Sequence, residues 1–336
     1  MTSLSLDVAT EALRLAEPFR ISGYVFETVE VVVATLSDGQ HQGRGEASGV
    51  FYLGDEAPQI VVALEAARGA IEAGPSREEL RSILPPGGAR NAVDCALWEL
   101  EAARAGQPVW QVAGLAEPAA LRTTFTLGAD SPAAMAARAR RYSQALSIKV
   151  KLTGELELDV ARLHAIREAR PDVWLGVDGN QGFTVEQLDR LVAALVETNV
   201  ALLEQPLARG READLEGLAS PVPIAGDESI LSLTDIAPAV GRFDVVNIKL
   251  DKCGGLTEGL LMAAEARRLG LGVMVGTMVG TSLATAPAFL LGQLCDLVDL
   301  DGPTFLAEDR QPSVHYEAGK LWSGPEVWGS GITPAR

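Results

Sequence analysis

The chain has 336 residues, 47% hydrophobic and 22% charged, which suits a globular protein with a large, mainly aliphatic core. Its 45 acidic residues outnumber 28 basic ones, for a net charge of −17. That balance argues against nucleic-acid binding, which needs a basic footprint, and against docking on anionic membranes. Cys95, Cys253 and Cys295 are odd in number and widely spaced, so neither a disulfide framework nor a zinc pattern is visible. The N-terminal residues lack a basic segment followed by an apolar core, and no run of about 18 apolar residues occurs. The expectation is a cytoplasmic protein with reduced thiols, bound to neither membrane nor nucleic acid.

Residues 25–49 read as a hairpin turning at Ser37-Asp38-Gly39. Residues 56–83 and 91–105 have helical spacing, separated by the turn Pro85-Pro86-Gly87-Gly88. Strands followed by helices predict an α+β unit.

From about residue 120 the rhythm changes to short β-rich runs alternating with helical segments. Markers near the ends of these runs are Thr126, Lys151, Asp178, Glu204, Asp227, Lys249, Thr277 and Asp299, spaced 22–28 residues apart. Eight even strand–helix units predict a parallel α/β barrel. A flat doubly wound sheet is the alternative, but no G-x-G-x-x-G follows the early strands to support it.

In such barrels the active site lies at the C-terminal ends of the strands. Those ends carry Lys149 and Lys151, then Asp178, Glu204, Asp227 and Lys249, and finally Asp299 and Asp301. Any one aspartate could be a turn or helix-capping residue. Together, carboxylates from three adjacent strands would converge and repel unless a cation sits among them. An all-oxygen set suits a hard cation such as Mg²⁺. His41, His164 and His315 all lie away from strand ends, which disfavours zinc and a histidine base.

The bases must then be lysines. In SIKVKL (147–152) the strand period puts Lys149 and Lys151 on one face and Ile148, Val150 and Leu152 on the other. A neighbouring cation lowers a lysine pKa from its usual ~10.4 toward neutrality. Lys249 lies four strands further on, opposite Lys151 in an eight-strand ring. A lysine on each side of a metal-bound carboxylate predicts inversion at the adjacent carbon: one base removes a proton, the metal stabilises the enediolate, and the opposite base returns a proton.

These residues resemble those of the enolase superfamily, in its muconate-lactonising subgroup. The resemblance rests on Lys149-Val150-Lys151, on Asp178, Glu204 and Asp227, on Lys249 in VNIKLDKCGGLTEGL, and on ARNAVDCALWELEA (89–102). Within the subgroup, Asp299-Leu300-Asp301 is similar to the Asp-x-Asp of the dipeptide epimerases, the L-Ala-D/L-Glu epimerase family. The resemblance implies a (β/α)7β modified TIM barrel over residues 116–310, an α+β capping domain over 1–115 and a tail over 311–336 that returns to the cap. It also implies that Asp178, Glu204 and Asp227 bind Mg²⁺, that Lys151 and Lys249 carry protons beside Lys149, and that Asp299 and Asp301 hold the dipeptide's ammonium. Thr126 would contact the substrate backbone, Trp322 and Trp328 would be packing residues, and a homo-oligomer is the expected assembly.

Members acting on Ala-Glu carry an arginine in the first cap loop. The matching position here is Phe26, with Tyr24 and Val25 beside it and Arg20 nearby. The implied substrate is a dipeptide with an apolar or aromatic second residue, a cationic one being the alternative. An N-acylamino-acid racemase or cycloisomerase on the same barrel is the enzymatic alternative, and a catalytically silent binding protein is the non-enzymatic one.

Overall fold

The computed structural model describes residues 3–21 and 24–330. The chain opens with an antiparallel sheet of β1 (Ser5–Ile21), β2 (Tyr24–Ser37) and β3 (Gln42–Ala47). The predicted turn joins β2 and β3, with Ser37 opposite Gln42. Nothing in the sequence pattern predicts β1, because its Ala, Leu and Glu residues are strong helix formers; pairing along β2 overrides that preference.

Helices α1 (Ala57–Glu72), α2 (Arg77–Ile83) and α3 (Gly88–Ala105) follow. The single helical segment expected over 56–83 is therefore two helices. Gly74 takes φ 77°, and Ser76 starts α2 with a capping box closed by Glu79. Helix α3 is almost wholly buried. The short α4 (Val109–Val112) and β4 (Leu121–Arg122) lead into the second unit.

The eight predicted strand runs all form strands: β5 (Thr124–Leu127), β6 (Ser147–Lys151), β7 (Trp174–Asp178), β8 (Leu202–Glu204), β9 (Ile224–Gly226), β10 (Val245–Lys249), β11 (Gly272–Gly276) and β12 (Leu297–Asp299). They pair in chain order, all parallel. Side chains bridge β5 to the end of β12: Leu300 N donates to Thr123 Oγ1 (3.0 Å) and Thr126 N donates to Asp301 Oδ2 (2.6 Å). The result is a nearly closed barrel with an antiparallel cap, as the sequence predicts.

The intervening helices are α5 (Pro132–Arg141), α6 (Leu156–Ala169), α7 (Val185–Glu197), α8 (Ile236–Ala239), α9 (Leu250–Cys253), α10 (Leu256–Arg268) and α11 (Ser282–Gly292). The regular alternation fails in one place. Between β8 and β9 there is only a 3-10 turn, Glu212–Leu215. Gly210 and Gly217 are left-handed there, and Pro221 and Pro223 interrupt any helical run.

Strand periodicity sets the contents of the barrel. Ile148, Val150, Leu175, Val177 and Leu203 point outward and are buried among the surrounding helices. The opposite face is apolar at its lower level, where Leu202, Ala225 and Met274 pack together, and polar two residues on. Charge thus gathers toward the C-terminal mouth, with Lys149 one level deeper, in register with Gly176 and Leu202.

In the tail, β13 (His315–Glu317) and β14 (Lys320–Trp322) form a hairpin on β4. Leu321 faces in and is fully buried, so the alternate residue Trp322 is turned out and 39% exposed. Trp322 is therefore a surface residue near His315, not the packing residue expected. Trp328 is buried and donates from Nε1 to Arg44 O of β3 (3.0 Å), so the tail does reach the cap.

Candidate active site

Adjacent strands set the polar layer. Lys151 pairs in register with Asp178, and Asp178 with Glu204. Asp227 follows β9, Lys249 ends β10, and Asp299 ends β12 beside Gly276. Asp178, Glu204 and Asp227 each offer an oxygen within 4.8 Å of the others', and all three are buried. Asn180 (φ 41°), Gln181 (φ 65°) and Gln205 (φ 31°) are left-handed non-glycine residues just beyond β7 and β8, a concentration of backbone strain at the mouth.

The lysines are the counter-cations. Lys149 Nζ lies 2.6 Å from Glu204 Oε2, 2.8 Å from Asp299 Oδ2 and 3.2 Å from Asp178 Oδ2. Lys151 Nζ lies 2.6 Å from that same Asp178 oxygen. Across the barrel, Lys249 Nζ is 2.6 Å from Asp227 Oδ2. Lys151 and Lys249 therefore face one cavity from strands four apart.

These pairings govern the ionisation. Burial pushes Asp178 upward, but Lys151 and Lys149 outweigh it and hold the carboxyl below its usual range. Burial acts on Asp227 in the same way, and Lys249 and Lys252 hold it well below. Glu204 is pushed up to about 8 by burial, reinforced by Asp178. Burial lowers Lys149 and Lys249, yet neighbouring carboxylates, Asp299 first for Lys149 and Asp227 first for Lys249, raise both above the ordinary lysine value.

The donor set fits a hard cation. It contains oxygen alone, and Glu204 Oε2, Glu228 Oε2 and Asn180 Oδ1 are buried without a hydrogen-bond partner. Glu204 Oε2 is close to Lys149 Nζ but outside hydrogen-bonding geometry, which leaves its lone pairs for another ligand. Oxygens so arranged are what Mg²⁺ requires.

A cavity of about 440 Å³ lies between this layer and the cap. Thr126, Asp299 and Asp301 line one side. Asp299 Oδ1 also accepts from Thr124 Oγ1. Burial with the Asp299 charge pushes Asp301 up to about 7, while Lys149 outweighs burial and keeps Asp299 low. Phe26 lines the cavity too, as do Phe19, Phe51, Met278 and Phe305. Phe26 meets Phe51 edge-on, with ring centroids 5.2 Å apart. Among the described lining residues the cap supplies no cation. The side chains of Arg20 and Tyr24 lie outside the described residues.

The sequence reading missed Lys252. Its side chain is fully buried, and Nζ reaches Asp227 Oδ1 (2.5 Å), Asp227 O (2.5 Å) and Asn247 O (3.0 Å). It lies on α9, where strand periodicity gives no warning. Asn247, which donates to Glu204 Oε1 (2.8 Å), was within reach of that periodicity, being two residues before Lys249 on the same face.

Fold and site together define a barrel enzyme built for proton transfer beside a carboxylate-held cation. Residues 4–114 match the mandelate racemase / muconate lactonizing enzyme N-terminal domain, and residues 133–334 match the enolase C-terminal domain-like model. The chain belongs to this family of the enolase superfamily. It is 39% identical over 319 residues to the L-Ala-D/L-Glu epimerase of Escherichia coli K12, covering 94% of this chain and 99% of that one. An enolase family member from Agrobacterium tumefaciens, solved with sodium and L-Ala-L-Glu, is 40% identical with a TM-score of 0.92, covering 97% of this chain and 100% of that one. A dipeptide epimerase from Enterococcus faecalis V583, solved with Mg and L-Leu-L-Tyr, is 28% identical with a TM-score of 0.91, covering 99% and 100%.

Proposed function

We propose that this chain is a Mg²⁺-dependent dipeptide epimerase that inverts the α-carbon of the dipeptide's C-terminal residue. The observation that carries the reading is Lys151 and Lys249 facing one cavity from opposite sides of three buried carboxylates. Asp178, Glu204 and Asp227 would hold the metal. When bound there, Mg²⁺ supplies positive charge against the negative charge that builds on a substrate carboxylate as its α-carbon loses a proton.

One lysine, as the free amine, takes the α-proton while the C–H electron pair passes into the carboxylate. The opposite lysine, as ammonium, returns a proton to the other face. Lys149, linking Asp178, Glu204 and Asp299, adds fixed positive charge beside that carboxylate. Asp299 and Asp301 receive the substrate's ammonium, and Thr126 meets its backbone. The barrel of 116–310 supplies this chemistry, the cap of 1–115 shapes the side-chain pocket, and the tail that starts at 311 reaches the cap through Trp328. A cytoplasmic homo-oligomer is the proposed setting.

The aromatic wall at Phe26 supports an apolar or aromatic second residue over glutamate. The test is a dipeptide panel in D₂O, with α-deuterium uptake read by mass spectrometry and each dipeptide paired with its N-acetyl form. Exchange should require the free amine and favour Xaa-Leu or Xaa-Phe. Preferential exchange of Xaa-Glu would overturn the specificity, and equal exchange of N-acetyl forms would overturn the dipeptide assignment.

A further inference from the structure

The segment after Lys249 makes a contact that the proton-transfer chemistry does not use. Asp251, on α9, is buried and lies two residues from Lys249. Its Oδ1 accepts from two successive cap amides, Ser48 N (2.9 Å) and Gly49 N (3.0 Å). Ser48 Oγ adds a bond to Val279 O of the barrel (2.6 Å). These amides are the root of the segment 48–55, which carries Phe51 and Tyr52 into the cavity wall.

The segment is folded tightly on itself. Val50 N donates to Asp55 O (2.6 Å), and Asp55 Oδ2 accepts from Gly88 N (2.7 Å). Gly49 is left-handed at φ 70°, and a Cβ there would stand 2.0 Å from Asp55 O. A segment closed in this way is braced internally, so its placement is set where it is held from outside: at Ser48 and Gly49 by Asp251, and at Asp55 by Gly88.

We propose that Asp251 is a positioning residue for substrate selectivity: it fixes Phe51 and Tyr52 against the site, tying the pocket for the second side chain to the element that bears Lys249. The proposal rests on the dipeptide reading for its substrate. A carboxyl oxygen shared by two successive amides, the Gly49 one buried and the Ser48 one partly so, is a strong anchor, and truncating it leaves both donors without that acceptor.

The test compares wild type with Asp251→Ala, Asp251→Asn and Glu46→Gln. Glu46, two residues before Ser48, accepts from Thr281 N (2.7 Å) and so joins cap to barrel by a tie separate from the two amides that Asp251 holds. In Asp251→Ala, KM for the preferred dipeptide should rise about tenfold or more, with kcat falling less, as loss of uniform binding requires. The ratio of kcat/KM between dipeptides differing only in the second residue should fall toward one. Hydrogen exchange at Ser48 and Gly49 should quicken while β6 stays protected.

Asn keeps an Oδ1 acceptor and should restore most of the selectivity, and Glu46→Gln should leave the ratio intact. If Asp251→Ala does not fold, Asp251→Ser, too short to span both amides, takes its place. An unchanged ratio despite fast exchange at Ser48 and Gly49 overturns the proposal, as does an equal loss in Glu46→Gln. If wild type exchanges no dipeptide α-proton, the function reading fails, and amide exchange alone then decides the anchor: continued protection in Asp251→Ala overturns it.

Discussion

The β6 and β10 sides of the barrel mouth each present a lysine to the cavity, and they are built differently. On the β6 side, Lys149 and Lys151 are alternate residues of one strand and both approach a single oxygen of Asp178. On the β10 side, Lys249 ends the strand, Lys252 comes from the helical turn after it, and the two take separate oxygens of Asp227. The β10 side is also keyed into the cap. Arg90 Nη2 donates to Cys253 O (2.5 Å), and Asp94 Oδ2 accepts from Thr257 N (2.9 Å). Gly254 and Gly255, left-handed at φ 82° and 111°, let Arg90 and Asp94 approach where a Cβ would clash.

Beside β6, the Arg138–Glu17 pair (2.8 Å) on α5 is a partly exposed tie of the kind worth little in water. The same pairing of cavity lysine, companion lysine and aspartate thus arises once from strand alternation and once from a strand-to-helix turn, and the second is the more firmly tied to the cap.

The largest expected effect tests whether the two lysines divide the reaction. Lys151→Ala and Lys249→Ala should each cut epimerisation by about 10³-fold or more, while each keeps α-deuterium exchange of one epimer, and a different one. Near-wild-type interconversion in either variant would end the two-base assignment.

A smaller effect tests the companion on the β10 side. Lys252→Met should lower exchange of the epimer served by Lys249 by about 10- to 100-fold and spare the other, with weaker Mg²⁺ binding by calorimetry. Equal loss for both epimers would mean that Lys252 supports the site as a whole and that the sides are not separable.

The smallest effect concerns the cap joint. Burial pushes Asp94 up to about 6, against the usual ~3.9. Between those values the folded state holds a proton that the unfolded state has released, so this group's contribution to stability falls as pH rises from about 4 to about 6. Measured by denaturant unfolding, the stability of Asp94→Asn relative to wild type should rise across that window, by up to about 3 kcal/mol. A flat difference would show that Asp94 does not titrate at the joint.

Much of the site was legible because strand geometry is periodic. Lys149 and Lys151 share a face by alternation, and even spacing placed Asp178, Glu204, Asp227 and Lys249 at successive strand ends. β1 was not legible, since helix-forming residues there are held extended by a partner strand. The missing helix between β8 and β9 was blurred by an interval close to its neighbours'.

By itself the sequence determined the barrel, the charged layer at its mouth and the all-oxygen donor set, because each follows from residue type and local period. Only the tertiary structure decided that Lys252 clamps Asp227, that Asp251 holds Ser48 and Gly49, and that Trp322 faces solvent. Those outcomes depend on which groups meet across more than a turn or a strand, and backbone periodicity carries no record of such meetings.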